Sequence, residues 1–188
     1  MTLNITAAAA PAITTREIYS DVAGYAFGTS SLGQVLVALT QQGICAILLG
    51  SDRERLIADL KQNFPMAHPA GPNEVPDDWI ARIVARIETP AISFDLPLDL
   101  RGSDFEIKVW QALRAIPAGK TMSYSELAEH IGMKDVAKAA KDVSEACATN
   151  RIAVAVPCHR ILRKDGSISG YRWGVHRKRA LLEREAAL

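Results

Sequence analysis

Apolar positions in the first half of the chain come in short, closely spaced runs. Residues 22–27, 34–39 and 44–49 read as extended segments, with Thr29-Ser30-Ser31-Leu32-Gly33 and Gln41-Gln42-Gly43 as the turns between them. Three neighbouring strands joined by short turns make an antiparallel meander. The rhythm then becomes helical. Leu56, Ile57, Leu60 and Phe64 form one stripe behind a capping residue, Ser51 or Asp52, and Pro65 closes the helix. Pro and Gly between 69 and 76 mark a loop. Trp79, Ile80, Ile83, Val84 and Ile87 predict a second amphipathic helix over 77–88.

From about Asp99 the pattern is mainly helical. Ser103 can cap a helix carrying Phe105, Val109, Trp110 and Leu113 on one face, ending before Pro117-Ala118-Gly119. Ser123 starts a short helix with Leu127, Ala128 and Ile131 inward, which stops at Gly132. An Ala- and Lys-rich helix comes next over 135–148. A short helix, a glycine turn and a basic helix outline a helix-turn-helix. The apolar run 152–156 predicts a strand that ends at Pro157. Asp165-Gly166 marks a hairpin turn, Ser169-Gly170-Tyr171 a loop, and 176–187 a basic amphipathic helix. The sum is an α+β chain: a tail over 1–16, an N-terminal domain of antiparallel sheet and helices over 17–92, a linker over 93–100, and a mainly helical domain over 101–188.

Composition changes this picture little. Of 188 residues 48% are hydrophobic and 23% charged, the values of an ordinary folded chain. No apolar run reaches the ~18–20 residues of a membrane-spanning helix. The opening segment, with no basic stretch ahead of an apolar block, reads as a frayed tail and not as a secretory leader. Charge is more informative: residues 1–100 carry a net −5 and residues 101–188 a net +6, so the helical half is the one suited to a polyanion. The three cysteines, Cys45, Cys147 and Cys158, contain no CxxC, and His68, His130, His159 and His176 lack metal-ligand spacing. A disulfide framework and a structural zinc are both disfavoured, and a reducing, cytoplasmic setting fits.

Cys158 is the candidate nucleophile. Pro157 places it at the end of the expected strand, and His159 and Arg160 come directly after it, neighbours that favour a thiolate. Glu183 and Glu185 on the last helix are candidates for orienting the histidine. Thiol, imidazole and carboxylate are the parts of an activated nucleophile.

With PCHR after an apolar run and SGYRWG downstream, the sequence resembles the O6-alkylguanine-DNA alkyltransferases. FEIKVWQALRAIPAGKTMSYSELAEHIG, ACATNRIAVAVPCHR and DGSISGYRWG occur in that family's order, and the resemblance runs from about Tyr19 to Glu185. The GICAILLG strand and the SGYRWG form bring it nearest to the alkyltransferase half of two-part bacterial adaptive-response proteins. The resemblance implies an RNase H-like N-terminal domain and a winged helix-turn-helix-like motif in the C-terminal one. It implies repair without a cofactor by a monomer. Cys158 would attack the alkyl carbon on guanine O6 (with thymine O4 as a second target) and keep the group irreversibly, so that each molecule acts once. The substrate would be duplex DNA bound through the minor groove, its damaged base flipped out.

The same resemblance implies roles for particular residues. His159 would take the thiol proton through a water, with Glu185 polarising it; Glu183, two positions away, lies on a different helical face. Asn150 would be the hinge between recognition helix and nucleophile, and Tyr124 would protonate guanine N3. The carbonyls of Cys158 and Ile161 would accept from the base amino group, with Tyr171, Arg172 and Cys147 completing the base pocket. Arg160 would join the DNA surface. Arg177, Lys178 and Arg179 read as a solvated run able to add phosphate contacts. The family places an arginine on the recognition helix that fills the gap left by the extruded base. Here, counting back 17 residues from Cys158 reaches Lys141, whereas counting forward from Gly132 reaches Lys138, because about three extra residues lie between Ile131 and Asn150. Three other readings compete: a non-repairing sensor of alkylated DNA, a helix-turn-helix regulator with a structural cysteine, and a cysteine hydrolase using Cys158 and His159.

Overall fold

In the computed structural model, which describes residues 22–72, 74–90 and 92–187, the three apolar runs form an antiparallel sheet in the order β1 (Val22–Ser30), β2 (Gly33–Thr40), β3 (Gly43–Gly50). The tail expected over 1–16 and the first residues of the expected N-terminal domain lie outside the described residues. The first turn is tighter than the sequence suggested. Pairing continues to Ser30 and Gly33, and Gly33 returns the chain at φ 108 with no room for a side chain against the Gly50 carbonyl. Residues 35–40 of β2 and 43–49 of β3 are buried throughout, the signature of strands covered on both faces.

Helix α1 (Arg53–Asn63) is capped by Asp52 and not Ser51, the Asp52 carboxylate accepting from the amides of Glu54 and Arg55. Helix α2 (Asp77–Glu88) buries Ile83 and Ile87. In the second half, α3 (Asp104–Ala115) and α4 (Tyr124–His130) both start with reciprocal capping boxes, Ser103 with Glu106 and Ser123 with Glu126. Gly132, at φ 78, turns the chain into α5 (Val136–Thr149). The Trp110 indole donates to the Ala146 carbonyl (2.8 Å), tying α3 to α5. Helix α6 (Val175–Ala186) closes the fold. The two halves share one buried core. Among the described residues no helix is long and apolar enough to cross a membrane.

Two expectations fail. The run 152–156 is not a strand. Ile152 alone bridges to Ile47, and 153–155 form a tight turn with Val154 at φ 58, a left-handed conformation that a β-branched residue adopts only when its surroundings force it. The residues are apolar because the turn is buried. The turn at Asp165-Gly166 does form, closed by bonds between Arg163 and Gly166 and between Arg163 and Ser167. Its leading strand β5 (Ile161–Leu162), however, pairs in parallel with β4 (Met122–Ser123) instead of building a hairpin.

Both outer strands of the sheet are covered by irregular chain. Tyr25 of β1 exchanges backbone hydrogen bonds with His68 and Ala70. On β3, Ile44 pairs with Pro97 and Asp99, and Ile47 with Arg151 and Ala153.

Candidate active site

Asn150 ends α5 and organises the segment between that helix and the candidate nucleophile. Its carboxamide, 1% exposed, accepts from the Ile152 amide (2.9 Å) and donates to the Val156 carbonyl (2.9 Å) and to Cys158 Sγ (3.2 Å). One side chain thus holds both ends of the buried turn and touches the thiol. Cys158 opens a single 3-10 turn, Cys158–Arg160, which sends the next two side chains inward.

There they meet α6. The Glu185 carboxylate accepts from His159 Nε2 (2.9 Å), from Arg160 Nε (2.9 Å) and Nη2 (2.7 Å), and from the Gly119 amide (3.3 Å). All three side chains are buried. Against the upward push of burial, the bonds from His159 and Arg160 hold the Glu185 carboxyl down at about 2. Burial pushes His159 down despite the pull of Glu185, so the ring is neutral. With Nε2–H directed to the carboxylate, Nδ1 carries the lone pair, and Nδ1 is buried with no hydrogen-bond partner among the described residues. Burial likewise pushes the Cys158 thiol up, against the Asn150 hydrogen bond and the Lys178 charge. The resting cysteine is therefore a thiol beside a neutral base, not a standing thiolate.

The buried pair also makes stability depend on pH. The unfolded chain protonates histidine near 6.5 and glutamate near 4.5, whereas native His159 and Glu185 resist until lower pH. The unfolded state then binds more protons, so stability is lost as pH falls. We expect the urea midpoint to decline first as pH drops below about 6.5 and again between about 4.5 and 2. The second limb becomes shallower in Glu185→Gln; an unchanged limb would contradict the carboxylate's role.

Cys158 forms part of the wall of a cavity of about 600 Å³ with Tyr124, Ser144, Cys147, Arg163, Ser169, Tyr171 and Arg172 among its neighbours. Tyr124 Oη meets Ser169 Oγ at 2.7 Å. The Tyr171 ring stands edge-on to His159 and Trp173, and its hydroxyl is buried without a partner among the described residues. Arg172 is anchored at the mouth by Asp59 of α1 (2.6 Å). Cys147 is buried, its thiol pushed well up by that burial. Ile161 is not on the cavity wall; its carbonyl accepts from Lys178 Nζ, and that of Cys158 from the Ile161 amide.

Most sequence-predicted site residues therefore converge, and Glu185, not the exposed Glu183, reaches His159. Besides Ile161, Arg160 is an exception. Expected on the DNA surface, it is 2% exposed and spends its guanidinium on Glu185 and the Ile116 carbonyl. The 3-10 turn aims it inward. Arg177 and Lys178 are also buried and not part of a solvated run. Sequence reasoning gives Gly119, Ser169 and Lys178 no role in the site, although Ser169 opens the SGYRWG motif and Gly119 lies in the PAGK turn. Lys141 and Lys138 are both exposed and, three residues apart, are neighbours on one side of α5. Lys141 stands three and seven residues before Ser144 and Ala148 on the cavity side, whereas Lys138 lines a separate hollow with Gly132, Met133 and Asp142.

Comparisons with known proteins place the chain among named relatives. Residues 104–187 match the family described as "6-O-methylguanine DNA methyltransferase, DNA binding domain". The Escherichia coli "Bifunctional transcriptional activator/DNA repair enzyme Ada" is 48% identical over 162 residues, 86% of this chain and 45% of that protein. A Candida albicans "Methylated-DNA--protein-cysteine methyltransferase" is 33% identical over 80% of this chain and 89% of that one. A crystal structure of Mycobacterium tuberculosis OGT in complex with DNA, 32% identical, superposes with a TM-score of 0.71 over 87% of this chain and 93% of the other. The chain spans about half the length of the bacterial curated relatives it matches.

Proposed function

The chain belongs to the 6-O-methylguanine-DNA methyltransferase family, and from that premise we propose that it repairs duplex DNA by moving a methyl group from guanine O6 to Cys158. The observation that carries this reading is a cysteine at the wall of a cavity of about 600 Å³, backed by a buried imidazole–carboxylate pair. That volume lies within the ~300–1,000 Å³ of ordinary ligand sites.

In the proposed step the Cys158 thiol gives its proton to His159 Nδ1 through a water as sulfur attacks the methyl carbon. The S–C bond forms and the C–O6 bond breaks. Tyr124 supplies a proton to N3 of the departing guanine, and the proton held by His159 restores the phenol through solvent. Glu185 stabilises the imidazolium that forms meanwhile. The thioether has no route back, so one molecule repairs one lesion. Cys147, Tyr171 and Arg172 frame the base, and flipping it out costs a few kcal/mol of unstacking and unpairing. Incubating the protein with duplex DNA carrying a radiolabelled O6-methylguanine should leave one label per protein on the peptide containing Cys158. Tight operator-like sequence preference with no label would instead favour the regulator reading.

Lys141 is the residue proposed to fill the space left by the flipped base, since it shares a face with Ser144 and Ala148. An ammonium on a flexible stem stacks and hydrogen-bonds less well than a planar guanidinium. Lys141→Arg should speed repair of the duplex several-fold and leave repair of the same lesion in a single strand unchanged. If Lys138→Arg does this and Lys141→Arg does not, the plug is Lys138.

A further inference from the structure

The buried cation beside the nucleophile opposes, by its charge, the upward push of burial on the Cys158 thiol, and its hydrogen bonds give it a second part. Lys178, on α6, is 1% exposed, and its Nζ donates to the Ile161 carbonyl and, at 2.9 Å, to Ser169 Oγ. Ser169, itself 7% exposed, meets Tyr124 Oη at 2.7 Å. Building on the methyl-transfer reading, we propose that Lys178 is a positioning residue that acts through Ser169 to fix the direction in which the Tyr124 hydroxyl donates.

Donor and acceptor capacity sets the direction of each bond in this chain. An ammonium has three donors and no lone pair, so the Lys178–Ser169 bond runs one way: Ser169 Oγ accepts. Ser169 then has one proton to give. Among the described residues its remaining partner is Tyr124 Oη, so Ser169 donates and the phenol oxygen accepts. The phenol proton is left on the cavity side, where Ser144 is the other hydroxyl that approaches it and where the base would sit. Without the ammonium, Ser169 Oγ no longer has to accept there and is free to accept the phenol hydrogen bond instead. Tyr124 would then point away from the substrate. Burial draws the Lys178 ammonium toward deprotonation, while the Ile161 carbonyl and Ser169 Oγ satisfy two of its three donors. At 1% exposure it cannot serve as a phosphate contact.

The test is a double-mutant cycle on single-turnover methyl transfer from an O6-methylguanine duplex, with duplex affinity measured in parallel. Lys178→Met keeps the side-chain volume and removes the donors. It should slow transfer roughly tenfold or more, a share of the ~10²–10⁴-fold that a positioned general acid supplies, with affinity unchanged. In a Tyr124→Phe background the same substitution should cost markedly less, because there is no phenol left to orient and only the loss of its charge beside Cys158 remains. Ser169→Ala, which leaves the ammonium in place, should slow transfer when Tyr124 is present and cost less than about twofold in Tyr124→Phe, and it carries the test alone if the buried methionine prevents folding. Equal costs with and without Tyr124 would mean a merely structural lysine and overturn the inference, as would a Tyr124→Phe protein that transfers at the wild-type rate. A wild-type chain that accepts no methyl group at all overturns the functional reading, and this inference with it.

Discussion

Cys158→Ser should bind a methylated duplex and never take up the methyl group. A serine hydroxyl can keep the Asn150 hydrogen bond and fits the space, so the buried turn survives. Its proton, however, is several pH units harder to remove than a thiol's, and the neutral His159 beside it is too weak a base to compensate. Transfer should fall below detection over hours, while affinity stays within about threefold, because phosphate contacts dominate such binding. Label mapping is the decisive measurement. Cys147 lies on the same cavity wall and is the competitor to exclude; Cys45 is locked in the sheet, its thiol donating to the Ala38 carbonyl. Label on either would remove the assignment.

Glu185→Gln should be the most damaging substitution that leaves every reacting atom in place. The carboxylate now faces only donors: an imidazole, two guanidinium nitrogens and a backbone amide. A carboxamide must turn its own NH₂ toward one of them, and the Arg160 charge loses its partner in a buried site. Breaking a buried pair in this way costs about 3–5 kcal/mol. Transfer should also slow by at least about tenfold, since the forming imidazolium loses its counter-charge. The control is Glu183→Gln, on the exposed face of α6, which should stay within about 0.5 kcal/mol of wild type. Denaturant melts and single-turnover rates on the two variants separate them. The reverse ranking would place the carboxylate half a helical turn away.

The helices were legible because their signals are local. Ser103 and Ser123 each stand three residues before a glutamate, and the stripes of α2 and α3 repeat at helical spacing. The buried turn was not legible. Five apolar residues before a proline look the same whether they line a sheet or fill a turn, and what decides between them is the Asn150 carboxamide reaching across to Val156. Adjacency misled in the same place. Arg160 lies two positions after the nucleophile, but the 3-10 turn directs it into the interior, where a carboxylate 25 residues on was waiting. Lys178 and Arg177 belong to a basic helix that reads as solvated. Only the packed structure reveals which of its charges face inward. The site's titratable core is built from contacts between distant segments, and no short-range pattern encodes them.

Protection of the sheet edge depends on the same buried turn. Strand β3 holds the segment Ile44-Cys45-Ala46-Ile47-Leu48-Leu49, six apolar residues without a charge or a proline, the composition of an aggregation-prone segment. Its outer edge is occupied at Ile47 by Arg151 and Ala153, the chain that Asn150 pins in place beside the nucleophile. The turn that shapes the reactive thiol therefore also blocks intermolecular strand addition. Variants that loosen it, such as Asn150→Ala, should precipitate or form thioflavin-positive aggregates at concentrations where Cys158→Ser remains in solution.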